Sequence, residues 1–383
     1  MLKEKEKMFR YIDAVAPQMA AMSDDIFDHP ELGLNEYHAF ALLTDWLEQE
    51  GFAVERGVAG VETAFRAIYH GNGGPNIGLL CEYDALPEIG HACGHQLQGP
   101  SILAAAAALK NSEADGNYTV TVYGTPAEES VSGKIMMLKN GCTFEELDVA
   151  LMMHGSPTTT VDVKSMAMSK FTVTFHGKKS HAALKPEAGR SALDALLLAF
   201  QAVEFLREHV PEDTRMHYTI SQSPGPVNVV PDTAVGVFSL RSYSRQKLDG
   251  VVERFLKIIQ GAALMSDVTF DIKEGDRLAN KIPVLKLNDL LMENARLVGA
   301  PRISPPREKT GSSDFSNVMY QLPGSCIRVA MVPAVPQCRQ DRRGSRGGHG
   351  GRQGTGRNRP GPDRGRGQAG RDPGGVPSES GCS

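Results

Sequence analysis

Apolar positions along the chain switch between two periods. Short alternating or continuous runs, Ile77 to Cys81, Tyr118 to Tyr123 and Asp148 to Met153, read as strands. Between them, Glu36 to Glu50, Leu97 to Leu109 and Ser132 to Asn140 repeat at helical spacing. This succession predicts an α/β sheet covered by helices. Gly71, Gly73, Gly74 and Pro75 mark a turn between two strands.

From about residue 168 to 275 the pattern changes. Phe171, Val173 and Phe175 alternate as a strand, and Leu193, Leu196, Leu197, Phe200 and Val203 then share one helix face. Strands at His217 to Gln222 and Ala234 to Leu240 follow. After them come a helix carrying Val251, Val252, Phe255, Ile258, Ile259 and Ala262, and a strand with Val268, Phe270 and Ile272. The order β-α-β-β-α-β is that of a ferredoxin-like module. Segments on both sides resume the α/β style, so the module is expected to be inserted: 1–167 and 276–334 form one domain, 168–275 the other.

Composition refines the picture at the C-terminal end. Residues 335–383 hold ten Arg and fourteen Gly but no Lys, Leu, Ile, Met or aromatic residue, so they cannot build a core. Ten arginines against four acids there, within a total of −4, leave about −10 on the preceding residues. The segment reads as a disordered tail with the composition of a shifted reading frame. Its arginines are not interleaved with aromatic residues, so nucleic acid is not an expected partner. No apolar run approaches the roughly 18 residues of a membrane span, and Met1 to Arg10 lacks the apolar stretch of a secretory signal. A soluble, cytoplasmic protein is expected. Cysteines at 81, 93, 142, 326, 338 and 382 are too dispersed for a disulfide framework and read as thiols or metal ligands.

Candidate chemistry gathers at strand ends. Glu82-Tyr-Asp84-Ala-Leu-Pro87, His91-Ala-Cys93-Gly-His95, Gly124-Thr-Pro-Ala-Glu128-Glu129 and Met153-His154-Gly155 all supply metal-ligand types there, where open α/β sheets assemble sites. Cys93 and His95, two apart, would point the same way in an extended loop. Glu128 and Glu129 follow an apolar strand, where one carboxylate can bind metal and its neighbour can act as a base. A solvated helix start is the simpler account of that pair.

Taken in order, these four segments resemble the amidohydrolase branch of the aminoacylase/carboxypeptidase dinuclear metallopeptidases. The sequence Glu-Tyr-Asp-Ala-Leu-Pro-Glu-Ile-Gly-His with Gly-Thr-Pro-Ala-Glu-Glu is nearest to p-aminobenzoyl-glutamate hydrolase-like and N-acyl-amino-acid amidohydrolases. The resemblance covers about residues 5 to 334. It implies a zinc-peptidase-like α/β catalytic domain with an inserted ferredoxin-like lid and dimerisation domain.

The resemblance also implies roles. Cys93, His95, Glu129 and His154 would hold two divalent ions (Zn, Mn or Co), and Glu128 would be the general base. Asp84 would orient the ligands and His91 would lie near the site. In the lid, His181 resembles a histidine that reaches a partner subunit's site, while Asn228 and Arg241 resemble groups that hold substrate oxygens and a carboxylate. The implied activity is hydrolysis of an amide bond in N-acyl amino acids or dipeptide-like substrates with a free carboxylate, by a homodimer. In that family a last ligand His follows the Gly311-Ser-Ser-Asp314 and Val332-Pro-Ala334 region, whereas here the only later His is His349, in the tail. The alternative is therefore a catalytically impaired relative that acts as a small-molecule-binding or subunit protein.

Overall fold

The computed structural model describes residues 2–112, 117–222, 224–307 and 311–331. The chain opens with α1 (Leu2–Asp28) and α2 (Tyr37–Gln49), then β1 (Ala53–Arg56), β2 (Phe65–Tyr69), β3 (Asn76–Cys81), α3 (Gln98–Lys110) and β4 (Thr119–Gly124). There follow α4 (Glu128–Val131), α5 (Gly133–Lys139), β5 (Val149–Ser156) and β6 (Thr160–Val161). A second group comprises β7 (Ala167–His176), α6 (Ala192–Leu206), β8 (Arg215–Gln222), β9 (Thr233–Ser242), α7 (Arg245–Met265) and β10 (Thr269–Glu274). The described chain then runs through α8 (Leu285–Leu297), α9 (Phe315–Val318) and β11 (Gly324–Ala330).

Two sheets result. The larger is mixed, in the order β1-β2-β4-β3-β5-β11-β6, with parallel pairing from β4 through β11. The smaller is antiparallel, in the order β10-β7-β9-β8, so the four strands of the β-α-β-β-α-β unit lie fourth, first, third and second. This is the α/β architecture with a separate four-stranded module that the hydrophobic pattern predicts.

Burial explains the elements. Along β7, Ala167, Ser169, Phe171, Val173 and Phe175 are buried and their neighbours are not, as a one-sided sheet requires. The buried face of α6 is Ala192, Ala195, Leu196, Ala199, Val203 and Leu206, and α7 adds Leu248, Val251, Val252, Phe255, Ile259 and Ala262. Leu197, expected on that face, is half exposed, and Ala192, Ala195 and Ala199 take inner positions of the helix. Helix α1 is absent from the sequence-based expectation. Its stripe of Tyr11, Val15, Met19, Met22 and Ile26 packs on the core under β2 to β4, but Pro17 and a charged opposite face obscure the period.

None of the described helices is long and apolar enough to cross a membrane. Cys81, Cys93, Cys142 and Cys326 are free thiols. The tail, with Cys338, His349 and Cys382, lies outside the described residues.

Candidate metal centre

The site forms where the parallel sheet changes direction. From β3 the chain crosses to β4 on one side and then to β5 on the other, leaving a crevice at the carboxyl ends of these strands. Glu82 and Asp84 follow β3, Glu128 and Glu129 follow β4, and His154 lies near the end of β5.

Local backbone aims each group. The loop carrying Cys93 and His95 is not extended as expected. Gly94 takes a left-handed φ of 79°, and a short 3-10 turn carries His95 into α3. A side chain at Gly94 would also strike Met331, its Cβ falling 2.6 Å from Cε. Glu128 and Glu129 follow a second left-handed turn. Ala127, buried with φ 60°, kinks the backbone so that both acids open α4. The kink is held by the buried Glu36, whose Oε1 accepts from Ala127 N at 2.8 Å. These acids do start a helix, but their carboxylates turn inward and gather with His95.

His95 is the centre of the arrangement. It is 1% exposed, and its Nδ1 lies 3.0 Å from Asp84 Oδ1. Asp84 thus fixes the ring and directs Nε2 into the crevice, while its Oδ2 accepts from Glu129 N at 2.9 Å. His95 Nε2 lies 3.4 Å from Glu82 Oε2 and 3.9 Å from Glu129 Oε1 and makes no hydrogen bond. His154 stands edge-on to His95, ring centres 5.4 Å apart. Its Nδ1 is 2.7 Å from Gly155 O, which suits a proton on Nδ1 and a free Nε2. Two sets, Glu82 with His95 and His154, and His95 with Glu128 and Glu129, bring their ligand atoms within 4.8 Å of one another.

The electrostatics favour cations. Burial opposes charge on His95, but the hydrogen bond it donates to Asp84 and the charges of Glu82 and Asp84 outweigh it and raise its pKa to about 9. The groups that favour a second proton on Nε2 equally favour a metal ion there. Burial, the Glu129 hydrogen bond and nearby carboxylates push the Cys93 thiol up to about 12, so a thiolate there needs a cation beside it. Burial, with Glu82 and Asp314, raises the Glu128 carboxyl well above its usual range. Burial lowers His154, and Arg328 adds to the effect. His91 is also lowered by burial and by His95, and it packs near Phe27 beside the site.

A buried ionic floor underlies the crevice, and the motifs give little sign of it. Lys134 Nζ lies 2.5 Å from Glu82 Oε1 and 2.8 Å from Asp314 Oδ1, all three side chains fully buried. Gln98 Nε2 donates to Glu82 Oε2 at 2.8 Å. The one signal for Lys134 was a charge on the inward face of the apolar helix around Ile135 and Met137. Arg328 was also missed. Parallel register sets it opposite His154, its Nη1 3.3 Å from Nδ1, and Asp162 Oδ2 accepts from its Nε at 2.7 Å.

The module of the smaller sheet keeps its candidate residues to itself. His181 pairs with Val229 in an isolated antiparallel bridge, and Ala182 N donates to Asn228 O at 3.0 Å, so His181 and Asn228 are neighbours. Arg241 is the penultimate residue of the module's third strand, opposite Met168 and Arg215. Among the described residues, no hydrogen bond or ion pair joins His181, Asn228 or Arg241 to the cluster around His95.

Comparison with known proteins gives the lineage. The chain is 36% identical to the Xaa-Arg dipeptidase of Mus musculus over 337 residues, 84% of this chain and 78% of that protein. It is 33% identical to one of the subunits of the p-aminobenzoyl-glutamate hydrolase of Escherichia coli over 321 residues, 77% of this chain and 66% of that protein. Its fold is similar to that of a Bacillus subtilis protein described as a dinuclear metal binding peptidase from the M20 family. That similarity has a TM-score of 0.65 at 22% identity and covers 83% of this chain and 89% of that one. Residues 78–340 match the model of peptidase family M20/M25/M40, and the chain belongs to that family.

Proposed function

We propose that this chain hydrolyses an amide bond in N-acyl amino acids or dipeptide-like substrates that carry a free carboxylate. The observation that carries this reading is His95 Nε2, buried, unpartnered and directed by Asp84 at a crevice lined with carboxylates. Cys93, His95, Glu129 and His154 would hold two divalent ions of the Zn, Mn or Co class, whose ligand preferences fit this mixed set. Bound there, such ions would acidify the attacking water and polarise the scissile carbonyl.

The protein's own groups do the rest. Glu128 takes a proton from water and returns it to the leaving amine. Asp84 keeps the proton on His95 Nδ1. Residues 168–275 form a lid and dimerisation domain between catalytic segments 1–167 and 276–334. There Asn228 and Arg241 bind substrate oxygens and carboxylate, an Arg fork offering two parallel charge-assisted bonds. His181 completes the site of a second subunit. The activities named for the mouse and Escherichia coli relatives support this substrate class.

The test is hydrolysis of N-acyl amino acids and Xaa-Arg dipeptides by metal-loaded protein, abolished by a chelator and restored by Zn, Mn or Co. Persistence of hydrolysis after complete metal removal would refute the reading. A second reading rests on the histidines: the only one after His217 is His349, in the Arg/Gly-rich segment. On it, the second ion is held weakly and turnover is low. Metal analysis would then find at most one firmly bound ion per chain, and two tight ions with normal turnover would refute it.

A further inference from the structure

The corner between α1 and α2 brings together three metal-ligating side chains that the hydrolytic site does not use. Asp25 stands in the last turn of α1, His29 just beyond it and His38 in the first turn of α2. Asp25 Oδ1 lies 2.8 Å from His29 Nδ1 and 3.2 Å from His38 Nε2. The two imidazoles face each other across the carboxylate with ring centres 4.8 Å apart.

We propose that Asp25, His29 and His38 form a further divalent-metal site, independent of the cluster around His95, that takes an ion of the zinc type. Two imidazole nitrogens and one carboxylate oxygen are the donors such ions favour, with water free to complete the tetrahedron. Metal bonds of about 2.0 to 2.1 Å place tetrahedral ligand atoms about 3.3 to 3.4 Å apart. The two separations from Asp25 Oδ1 need widen by about half an ångström and by about 0.1 to 0.2 Å, and all three ligand atoms already lie within 4.8 Å of one another.

The surroundings support a cation. The carbonyl end of α1 carries partial negative charge, and His29 Nδ1 already lies 2.9 Å from Asp25 O. Hydrogen bonding to that carbonyl, with the charges of Asp25 and Asp28, raises the affinity of His29 for a proton. The corner is preformed, since Glu31 accepts from His38 N at 2.9 Å and from Ala39 N at 3.0 Å and so fixes the start of α2. All three side chains remain open to solvent, between 40% and 62% exposed, so an ion can enter. The intervening segment also supports the hydrolytic site: Glu31 O accepts from Ala85 N, next to Asp84, and Glu36 holds Ala127, next to Glu128.

The test is Zn2+ titration of the whole chain by calorimetry, beside His29→Gln/His38→Gln and Cys93→Ser. The double variant should lose one equivalent of Zn2+ uptake while its hydrolytic turnover stays unchanged, and Cys93→Ser should keep that same equivalent. Equal uptake by wild type and double variant overturns the proposal, as does loss of this equivalent in Cys93→Ser, which would assign it to the hydrolytic centre. A second measurement needs no variant. Zn2+ at about ten times its dissociation constant should slow carbethoxylation of His29 and His38 roughly tenfold, and an unchanged rate also overturns the proposal.

Discussion

The helices of the four-stranded module and those beside the crevice start in opposite ways. In the four-stranded module the caps are local: Ser191 accepts from Asp194 N at 3.1 Å and Ser244 from Lys247 N at 3.3 Å. At α4 and α5, beside the crevice of the seven-stranded sheet, the donors at the helix starts are satisfied by carboxylates far along the chain. Glu36 receives Ala127 N, Asp84 receives Glu129 N, and Asp314 receives Lys134 N across 180 residues. The interiors differ likewise. Phe171, Phe175, Phe238 and Phe255 fill the module, whereas Glu82, Lys134 and Asp314 lie buried beneath the crevice. A module built on neighbouring residues can be recognised one segment at a time. A site held by distant carboxylates exists only once the chain is assembled.

The largest expected effect lies in the crevice. Glu128→Gln should keep metal content and lower turnover roughly 10²- to 10⁴-fold, the range for loss of a general base. Glu129→Gln should instead release metal, since its Oε1 lies 3.9 Å from His95 Nε2. Turnover and metal analysis on both variants check this division, and full activity in Glu128→Gln would sink it.

The buried ionic floor gives the next contrast. Lys134→Met strips Glu82 and Asp314 of their shared cation and should cost about 3 to 5 kcal/mol, the usual penalty for breaking a buried pair. It should also weaken metal retention, because Glu82 faces His95. Phe238→Ala in the module should cost a similar ~3 to 5 kcal/mol by cavity formation yet leave metal content alone. Urea unfolding measures the first quantity and metal analysis the second. If Lys134→Met retains metal as firmly as Phe238→Ala, the floor does not serve the site.

These contrasts explain what could be read from the sequence. Alternation at Phe171, Val173 and Phe175 and the stripe along α7 disclosed the module because each rule spans one element. The segments around Asp84, His95, Glu129 and His154 disclosed candidates by residue type and place, since strand ends are where donors are expected. Their relation was not legible. Extended geometry is the natural guess for Cys93-Gly-His95 and a solvated helix start for Glu128-Glu129, but Gly94 and Ala127 turn left-handed, the latter held by Glu36 from 91 residues away. Lys134 and Arg328 escaped notice because their roles come from Asp314, Glu82 and His154, brought near only by the sheet.

A smaller, pH-dependent effect separates the two interiors. Asp162, 1% exposed as a side chain, lies 2.7 Å from both Lys281 Nζ and Arg328 Nε. Burial works against its charge, but these cations prevail and bring its pKa from 3.8 down to about 2. A depressed folded pKa stabilises the fold above the unfolded value and ceases to do so as pH falls through the folded one. A shift of this size is worth about 2 kcal/mol. Asp162→Asn should therefore lose about 2 kcal/mol at neutral pH, with the difference from wild type closing as pH approaches 2. Urea midpoints across that range provide the check. A difference independent of pH would mean that packing, not charge, sets the cost.

The smallest effect tests whether the module's local caps stay local. Ser191 takes extended backbone before α6, and its hydroxyl accepts from Asp194 N, three residues ahead. Alanine cannot accept that bond, so one of the first-turn donors loses its partner. The usual cost of such a change is about 1 kcal/mol. Nothing in the crevice depends on Ser191, because its bond stays within the turn it starts, whereas Asp84 and Asp314 tie separate segments together. Ser191→Ala should thus lower the urea midpoint modestly and leave turnover and metal content at wild-type values. A fall in metal retention would show that the module's helix starts are coupled to the crevice, and the division between local and distant capping would no longer separate the module from the crevice.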